Sequence, residues 1–435
     1  MIILTVFIVV VFGVSLVSRR LDRSVVTTPI IFAAAGALTF MLPSTPGELA
    51  LDEATLLHVA ELGLVMLLFT DATRISPRML TTDGALPLRL LSIGMLLTIG
   101  LGVLCALLIF GHLTWLEAGI LAAILAPTDA GLGQVIVNSP RVPARIRQAL
   151  NVEAGLNDGL SVPFLLFFIA LAVAAHTHAD TGATLMRLLV EQLGFGALVG
   201  GAIGLACGWL LALAQRRGWM ADSMTQLGVV ALPLLCLVAA HASASSAFIA
   251  AFVAGLAAQI GFRDVGRHSV EFTEDWGKLL NFFVFFLFGL LATWAWQHMT
   301  LAAVLYAVAS LTLVRMLPVA LALRGTGLSR ASVLFIGWFG PRGLASIVLG
   351  LVYLEQQAAL PGDQTIRLAV IATVLLSILA HGLSALPGIA LYAKAVASLP
   401  PDAPERRAGD VDAGKPHVAA AGHPSDGHRA AGRPE

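Results

Sequence analysis

The stretch NVEAGLNDGLSVPF, residues 151–164, places two carboxylates and an amide at the mouth of a long apolar run. Glu153 and Asn157 lie four apart and share a helical face, whereas Asp158 is turned about 100° from Asn157. One side of such a helix offers a carboxylate to a cation on another element, and the adjacent side offers a carboxylate free for other work. The first needs a partner, because a buried charge without one is costly. Only Arg315, in SLTLVRMLPVAL, and Arg342, in GWFGPRGLASIVLG, lie within apolar runs. Glu153 is expected to pair with Arg315. Asp158 is then able to hold a proton or a dehydrated monovalent cation, Na+ or K+. A single charge should not hold both at once, so the two compete.

Two other stretches must cooperate with this one. WLEAGILAAILAPTDAGLGQVIVNS and ASVLFIGWFGPRGLASIVLGLVY each carry a mid-run proline, Pro127 or Pro341, flanked by a polar residue and glycines. Proline removes a backbone donor and clashes with the preceding turn, so both helices are expected to unwind. Backbone groups freed inside a membrane must be satisfied by protein or water. Asp129 is placed to offset the exposed N–H groups of the following half-helix. Arg342 is expected to serve the exposed carbonyls of the second break. Thr128 supplies a hydroxyl and a freed carbonyl, both oxygen ligands suited to a small hard cation. Interruptions at corresponding positions of two halves point to inverted repeats with a site where the breaks meet.

The elements that position these residues follow from composition. Of 435 residues, 58% are hydrophobic and 12% charged, against roughly 25% charged in an average soluble domain. A hydrocarbon core about 30 Å thick needs roughly 20 apolar residues per helix. The chain therefore reads as an all-α polytopic membrane protein with 13 transmembrane helices, near 1–18, 25–42, 54–72, 86–110, 115–137, 148–175, 185–214, 223–240, 244–260, 278–297, 301–323, 331–354 and 366–393. Spans one to three match eight to ten, and four to six match eleven to thirteen. The net charge of zero gives no footprint for nucleic acid. Cys105, Cys207 and Cys236 are isolated packing residues, and no cofactor is implied. The N-terminal run lacks a basic n-region and a small-residue cleavage site, which favours a retained first helix over a removed signal peptide.

Basic residues cluster in alternate loops: Arg19, Arg20 and Arg23; Arg74, Arg78 and Arg89; Arg141, Arg145 and Arg147; and further pairs and triples downstream. Cytoplasmic loops retain Lys and Arg, so the N-terminus is expected outside and the C-terminus inside. Beyond Leu399, Pro, Ala, Gly and charge predominate, the signature of a disordered tail, with His417, His423 and His428 read as solvated. Gly196, Gly200, Gly204 and Gly208 form a smooth stripe that permits close helix approach; internal packing is favoured over a dimer seam.

Five segments in order, APTDAGLG, EAGLND, LVRMLP, GPRG and LSILAHGLSALPG, resemble motifs of the monovalent cation/proton antiporter superfamily, in the branch of NhaP-type proteins and sodium/proton exchangers. The likeness spans about residues 1–395. It implies an NhaA-like antiporter fold with two crossing unwound helices, a homodimer in the cell membrane, and no enzymatic activity. The implied layout is 1–85 for the first part of the dimerisation domain and 86–181 for the first half of the transport core. Residues 182–300 then complete the interface domain, 301–396 complete the core, and 397–435 form the tail.

Carried onto this chain, the resemblance makes Asp158 the carrier of cation and proton, Asn157 its structural neighbour and Glu153 the partner of Arg315. Thr128 and Asp129 supply the unwound-helix contribution. Electrogenic relatives have a second Asp where this chain has Asn157, so one proton per cation is implied. Two positions depart from the pattern. Ala154 stands where many prokaryotic members have Ser, and LLFTDATRIS has Thr70 and then Asp71 where many have Glu after LLF. Asp71 either replaces that ligand from one position on or is an interfacial acid near Arg74. Na+(Li+)/H+ antiport is the leading reading and K+/H+ antiport the alternative. An intramembrane aspartyl protease using Asp129 and Asp158 lacks its Gly-x-Gly-Asp setting and leaves both arginines unexplained. A cation channel predicts current that survives neutralisation of Asp158.

Overall fold

The computed structural model describes residues 2–21, 24, 26–40, 53–73, 85–177, 180–262, 265–355 and 360–406. Arg23, Arg74, Arg78 and the three tail histidines lie outside these residues. Every regular element among the described residues is helical. In chain order they are α1 (Ile2–Leu21), α2 (Thr28–Phe40), α3 (Glu53–Thr73), α4 (Met95–Phe110), α5 (Trp115–Ile124), α6 (Ala130–Val137), α7 (Ala144–Thr177) and α8 (Gly196–Arg216). There follow α9 (Asp222–Ala242), α10 (Ala247–Gly261), α11 (Val265–Trp296), α12 (Leu301–Leu311), α13 (Leu313–Ala322), α14 (Arg330–Trp338), α15 (Leu344–Glu355) and α16 (Asp363–Ala397). Shorter helical turns lead directly into α4 and α8.

Seven of the described helices are long and apolar enough to cross a membrane. The expected spans at 115–137 and 331–354 each appear as two half-length helices, α5 with α6 and α14 with α15. Proline alone does not explain these interruptions, since Pro163, Pro233, Pro318 and Pro387 all lie inside continuous helices. The span at 301–323 carries an interruption that the proline pattern did not flag: its two helices meet at Thr312, where φ is −105° and ψ −87°.

Packing follows the glycines. A Cβ on Gly200, Gly204 or Gly208 of α8 would fall 2.1, 2.5 or 2.8 Å from the carbonyl oxygen of Ala250, Ala254 or Ala258 on α10. The stripe is therefore an internal seam in which α10 backbone replaces side chains. The same device joins α2 to α11, where a Cβ on Gly36 would overlap the Phe286 carbonyl and one on Gly289 the Ala33 carbonyl. Ile8, Val9, Phe12 and Leu16 leave an apolar face of α1 exposed, as a lipid-facing helix requires.

At the far end of the chain, Pro404–Arg406 forms one helical turn that docks back on the bundle. Glu405 is buried there; its Oε1 accepts hydrogen bonds from the Ser329 amide at 2.7 Å and the Ser332 hydroxyl at 2.8 Å. Because Ser329 is the N-cap of α14, the carboxylate meets the positive end of that helix. Arg145 Nη1 donates to the Pro404 carbonyl at 3.0 Å, tying the turn to α7 as well.

Candidate functional site

The two breaks face each other, and each is completed by groups from the other. Asp129, the N-cap of α6, accepts hydrogen bonds on Oδ1 from Gly131 N at 2.6 Å and Leu132 N at 3.1 Å. Its Oδ2 accepts from Leu344 N, the first residue of α15, at 2.6 Å. The Asp129 amide in turn donates to the Pro341 carbonyl at 2.8 Å. One carboxylate thus caps two half-helices whose N-termini converge, where partial positive charge accumulates.

Arg342 runs in the opposite direction. Its Nη1 donates to the carbonyls of Ala126 at 2.5 Å and Pro127 at 3.0 Å, and the side chain is fully buried. This corrects the expectation that Arg342 serves its own break: the guanidinium satisfies the carbonyls freed at the first one. The physical reason is reach. The breaks cross closely enough for the guanidinium to span from one to the other, while His381 takes the Trp338 carbonyl at its own break.

Close approach at the second break depends on missing side chains. A Cβ on Gly343 would come 2.0 Å from Asp129 Oδ2, and one on Gly340 would come 2.2 Å from Arg315 Nε. Arg315, on α13, makes a bidentate pair with Glu153 of α7, Nη1 to Oε1 at 2.5 Å and Nη2 to Oε2 at 2.9 Å. Both partners are buried, which makes this fork geometry energetically consequential.

One turn further along α7, Asn157 Nδ2 donates to Thr128 Oγ1 at 2.7 Å, fastening α7 to the first break. Asp158 is buried beside it with 5% of its surface exposed. Oδ1 of Asp158 and Oδ1 of Asn157 are both buried acceptors without a hydrogen-bond partner among the described residues. Asp71, on α3, is buried and packs against Gly155, whose Cβ would lie 3.6 Å from that of Asp71. Asp71 and Asp129 both lie within electrostatic range of Asp158. The structure thus gathers Thr128, Asp129, Asn157 and Asp158 around the crossing, with Asp71 on the facing helix, and sets Glu153–Arg315 and Arg342 behind them.

Several participants were not singled out from sequence. Ser377 and His381 of α16 contact both ends of the second break: Ser377 Oγ accepts from the Arg342 amide at 2.7 Å, and His381 Nε2 lies 2.8 Å from the Trp338 carbonyl. The available signal was the Ser-x-x-x-His spacing in LSILAHG, two polar groups on one face of an otherwise apolar run. Glu117 is a second case. It completes a capping box with Thr114 at the start of α5 and accepts from the Gly362 amide at 2.7 Å.

Comparison with known proteins gives a concordant result. A family model described as the transmembrane sodium/hydrogen exchanger matches residues 3–388. The chain is 27% identical over 378 residues to the K(+)/H(+) antiporter NhaP2 of Shewanella sp. strain ANA-3, covering 85% of this chain and 62% of that one. It is 25% identical over 281 residues to a Na(+)/H(+) antiporter of Schizosaccharomyces pombe, covering 61% of this chain and 58% of that one. It spans about three fifths of the length of these relatives. The fold is similar to that of the sodium proton antiporter MjNhaP1 from Methanocaldococcus jannaschii at pH 8, with a TM-score of 0.72 and 18% identity over 92% of this chain and 100% of that chain. With a family match running through both breaks and the α7 carboxylates, the chain belongs to the sodium/hydrogen exchanger family.

Proposed function

We propose that the chain is a secondary-active Na+(Li+)/H+ antiporter in which Asp158 holds a cation and a proton by turns. The observation that carries this reading is the buried Oδ1 of Asp158, unpartnered among the described residues and flanked by the equally unpartnered Oδ1 of Asn157. A bare carboxylate in such surroundings is costly, and a proton or a dehydrated cation relieves the cost. Thr128 and Asp71 supply further oxygens nearby, while Asp129, saturated by three amides, acts as the cap of both half-helices.

A single carrier carboxylate next to Asn157 supports a one-for-one, electroneutral exchange driven by ion gradients. Each pH unit is then worth about 1.4 kcal/mol. We further propose a homodimer in the cell membrane with its N-terminus outside and C-terminus inside. In this arrangement helices in 86–181 and 301–396 form the transport core, and those in 1–85 and 182–300 form the interface domain.

K+/H+ exchange is the second reading, favoured by the names of the NhaP2 relatives. The deciding measurement is collapse of a preformed pH gradient in everted vesicles on addition of Na+, Li+ or K+, for the parent and Asp158→Asn. The parent is expected to respond to at least one cation and the variant to none. A variant that exchanges at the parental rate overturns the assignment of Asp158.

A further inference from the structure

Segment 339–343 between α14 and α15 is unwound, yet several groups that frame the proposed cation site meet it. Pro341 accepts from Asp129, Arg342 reaches the first break, Gly340 admits Arg315, and Gly343 admits Asp129. The ends of this segment are gripped by one helix. Ser377 and His381, both buried on α16, meet Arg342 N and Trp338 O respectively. Ser377 Oγ also lies 3.1 Å from His381 Nδ1.

Donor and acceptor capacity sets the two ends of this chain of contacts. The Trp338 carbonyl only accepts, so His381 Nε2 carries the hydrogen. The Arg342 amide only donates, so it occupies a lone pair of Ser377 Oγ and leaves the hydroxyl hydrogen available. His381 Nδ1 faces both that hydroxyl, at 3.1 Å, and the Ser377 carbonyl, at 3.0 Å. The Arg342 amide, Ser377 and His381 thus form one run of contacts that ends on the Trp338 carbonyl, which also accepts from the Gly340 amide at 2.9 Å. The last carbonyl of α14 and an amide just before α15 are thereby held at a set separation by two side chains one turn apart.

We propose that Ser377 and His381 are positioning residues for cation binding: a two-residue staple that fixes the width of the second break. The inference deepens the transport reading above and rests on it. Losing the staple lets the segment relax, which displaces Arg342 from the Ala126 and Pro127 carbonyls and disturbs Thr128 beside them. The effect falls on cation affinity, and the imidazole itself carries no transported proton.

The test is cation titration of gradient collapse in everted vesicles, normalised to the transporter in the membrane, across a range of pH. His381→Leu and Ser377→Ala are each expected to raise the half-maximal cation concentration at least fivefold while changing the maximal rate less than twofold. His381→Gln, which keeps one donor and one acceptor, should stay within twofold of the parent with an unmoved pH profile. The double variant Ser377→Ala/His381→Leu should lie within twofold of His381→Leu, because both residues belong to one chain. An unchanged half-maximal concentration in both single variants overturns the staple, as does a His381→Gln variant whose pH profile moves. If His381→Leu does not accumulate, Ser377→Ala and His381→Gln carry the test. A parent that responds to no cation defeats the transport reading itself, which separates that failure from failure of the staple.

Discussion

Asp129 and Leu344 lie 215 positions apart in the chain, and the carboxylate of one accepts the amide of the other at 2.6 Å. The same carboxylate caps its own helix through Gly131 and Leu132. Asp129→Asn replaces one acceptor oxygen with an NH2 group that faces N–H donors whichever way the amide turns. A buried donor left unsatisfied costs about 1–3 kcal/mol. The variant should therefore melt earlier in detergent than the parent. Equal melting curves would show that the double cap contributes no stability.

The two glycines of the second break make a sharper case. Gly343→Ala directs a methyl at Asp129 Oδ2 and Gly340→Ala directs one at the Arg315 guanidinium. Overpacking of this kind costs about 1–3 kcal/mol, and both variants should lose transport. A methyl on Gly100 would meet nothing within 4 Å, so Gly100→Ala serves as the silent control in the same vesicle assay.

Glu153→Gln leaves Arg315 buried without its counter-charge, a loss of about 3–5 kcal/mol for a buried pair broken on one side. Neutralising Arg315 in the same chain should recover part of that loss. Melting temperatures of the two single variants and the double variant form the cycle that measures the coupling. A double variant no more stable than Glu153→Gln would count against the pair.

Asp71→Asn bears on ion choice. Asp71 is buried against Gly155 on the helix that carries Asp158, so removing its charge should raise the half-maximal Na+ concentration several-fold without abolishing exchange. Parallel titrations with Na+, Li+ and K+ check this; an unaltered response to all three assigns Asp71 to packing.

Glu405 carries the pH prediction. Burial pushes its carboxyl up, but hydrogen bonds from the Ser329 amide and the Ser332 hydroxyl outweigh that effect and hold it below the ordinary glutamate value. With the folded value below the unfolded one of about 4.3, the contact contributes fully above that pH and is lost as pH falls through the folded value. Glu405→Gln should lower the melting temperature at neutral pH, and the gap to the parent should close in acid. A gap that stays constant down to about pH 3, below the unfolded value, would show that the charge of Glu405 is not what docks the turn.

Much of this arrangement was legible in the chain because its signals are local. Hydropathy marked the spans, the proline–glycine pairs marked both breaks, and an intramembrane carboxylate in search of a cation pointed from Glu153 to Arg315. What escaped was the long-range traffic between elements. Nothing near Arg342 says that its partners lie at Ala126 and Pro127, because that depends on how two distant helices cross. Ser377 and His381 were submerged in the apolar run of α16, and the interruption at Thr312 has no proline of its own. Glu405 sits in a stretch whose composition reads as unfolded, and the start of α14 together with Arg145 of α7 gives its turn a place to dock.

The glycine seam between α8 and α10 has a mechanical corollary. Each step along it sets a bare α-carbon against a peptide oxygen one turn further on, so sliding by a single residue would drive side chains into backbone at several levels together. These two rods behave as one rigid beam. In the proposed exchange, any stroke that carries Asp158 between the two faces of the bilayer must be taken up at contacts other than this seam.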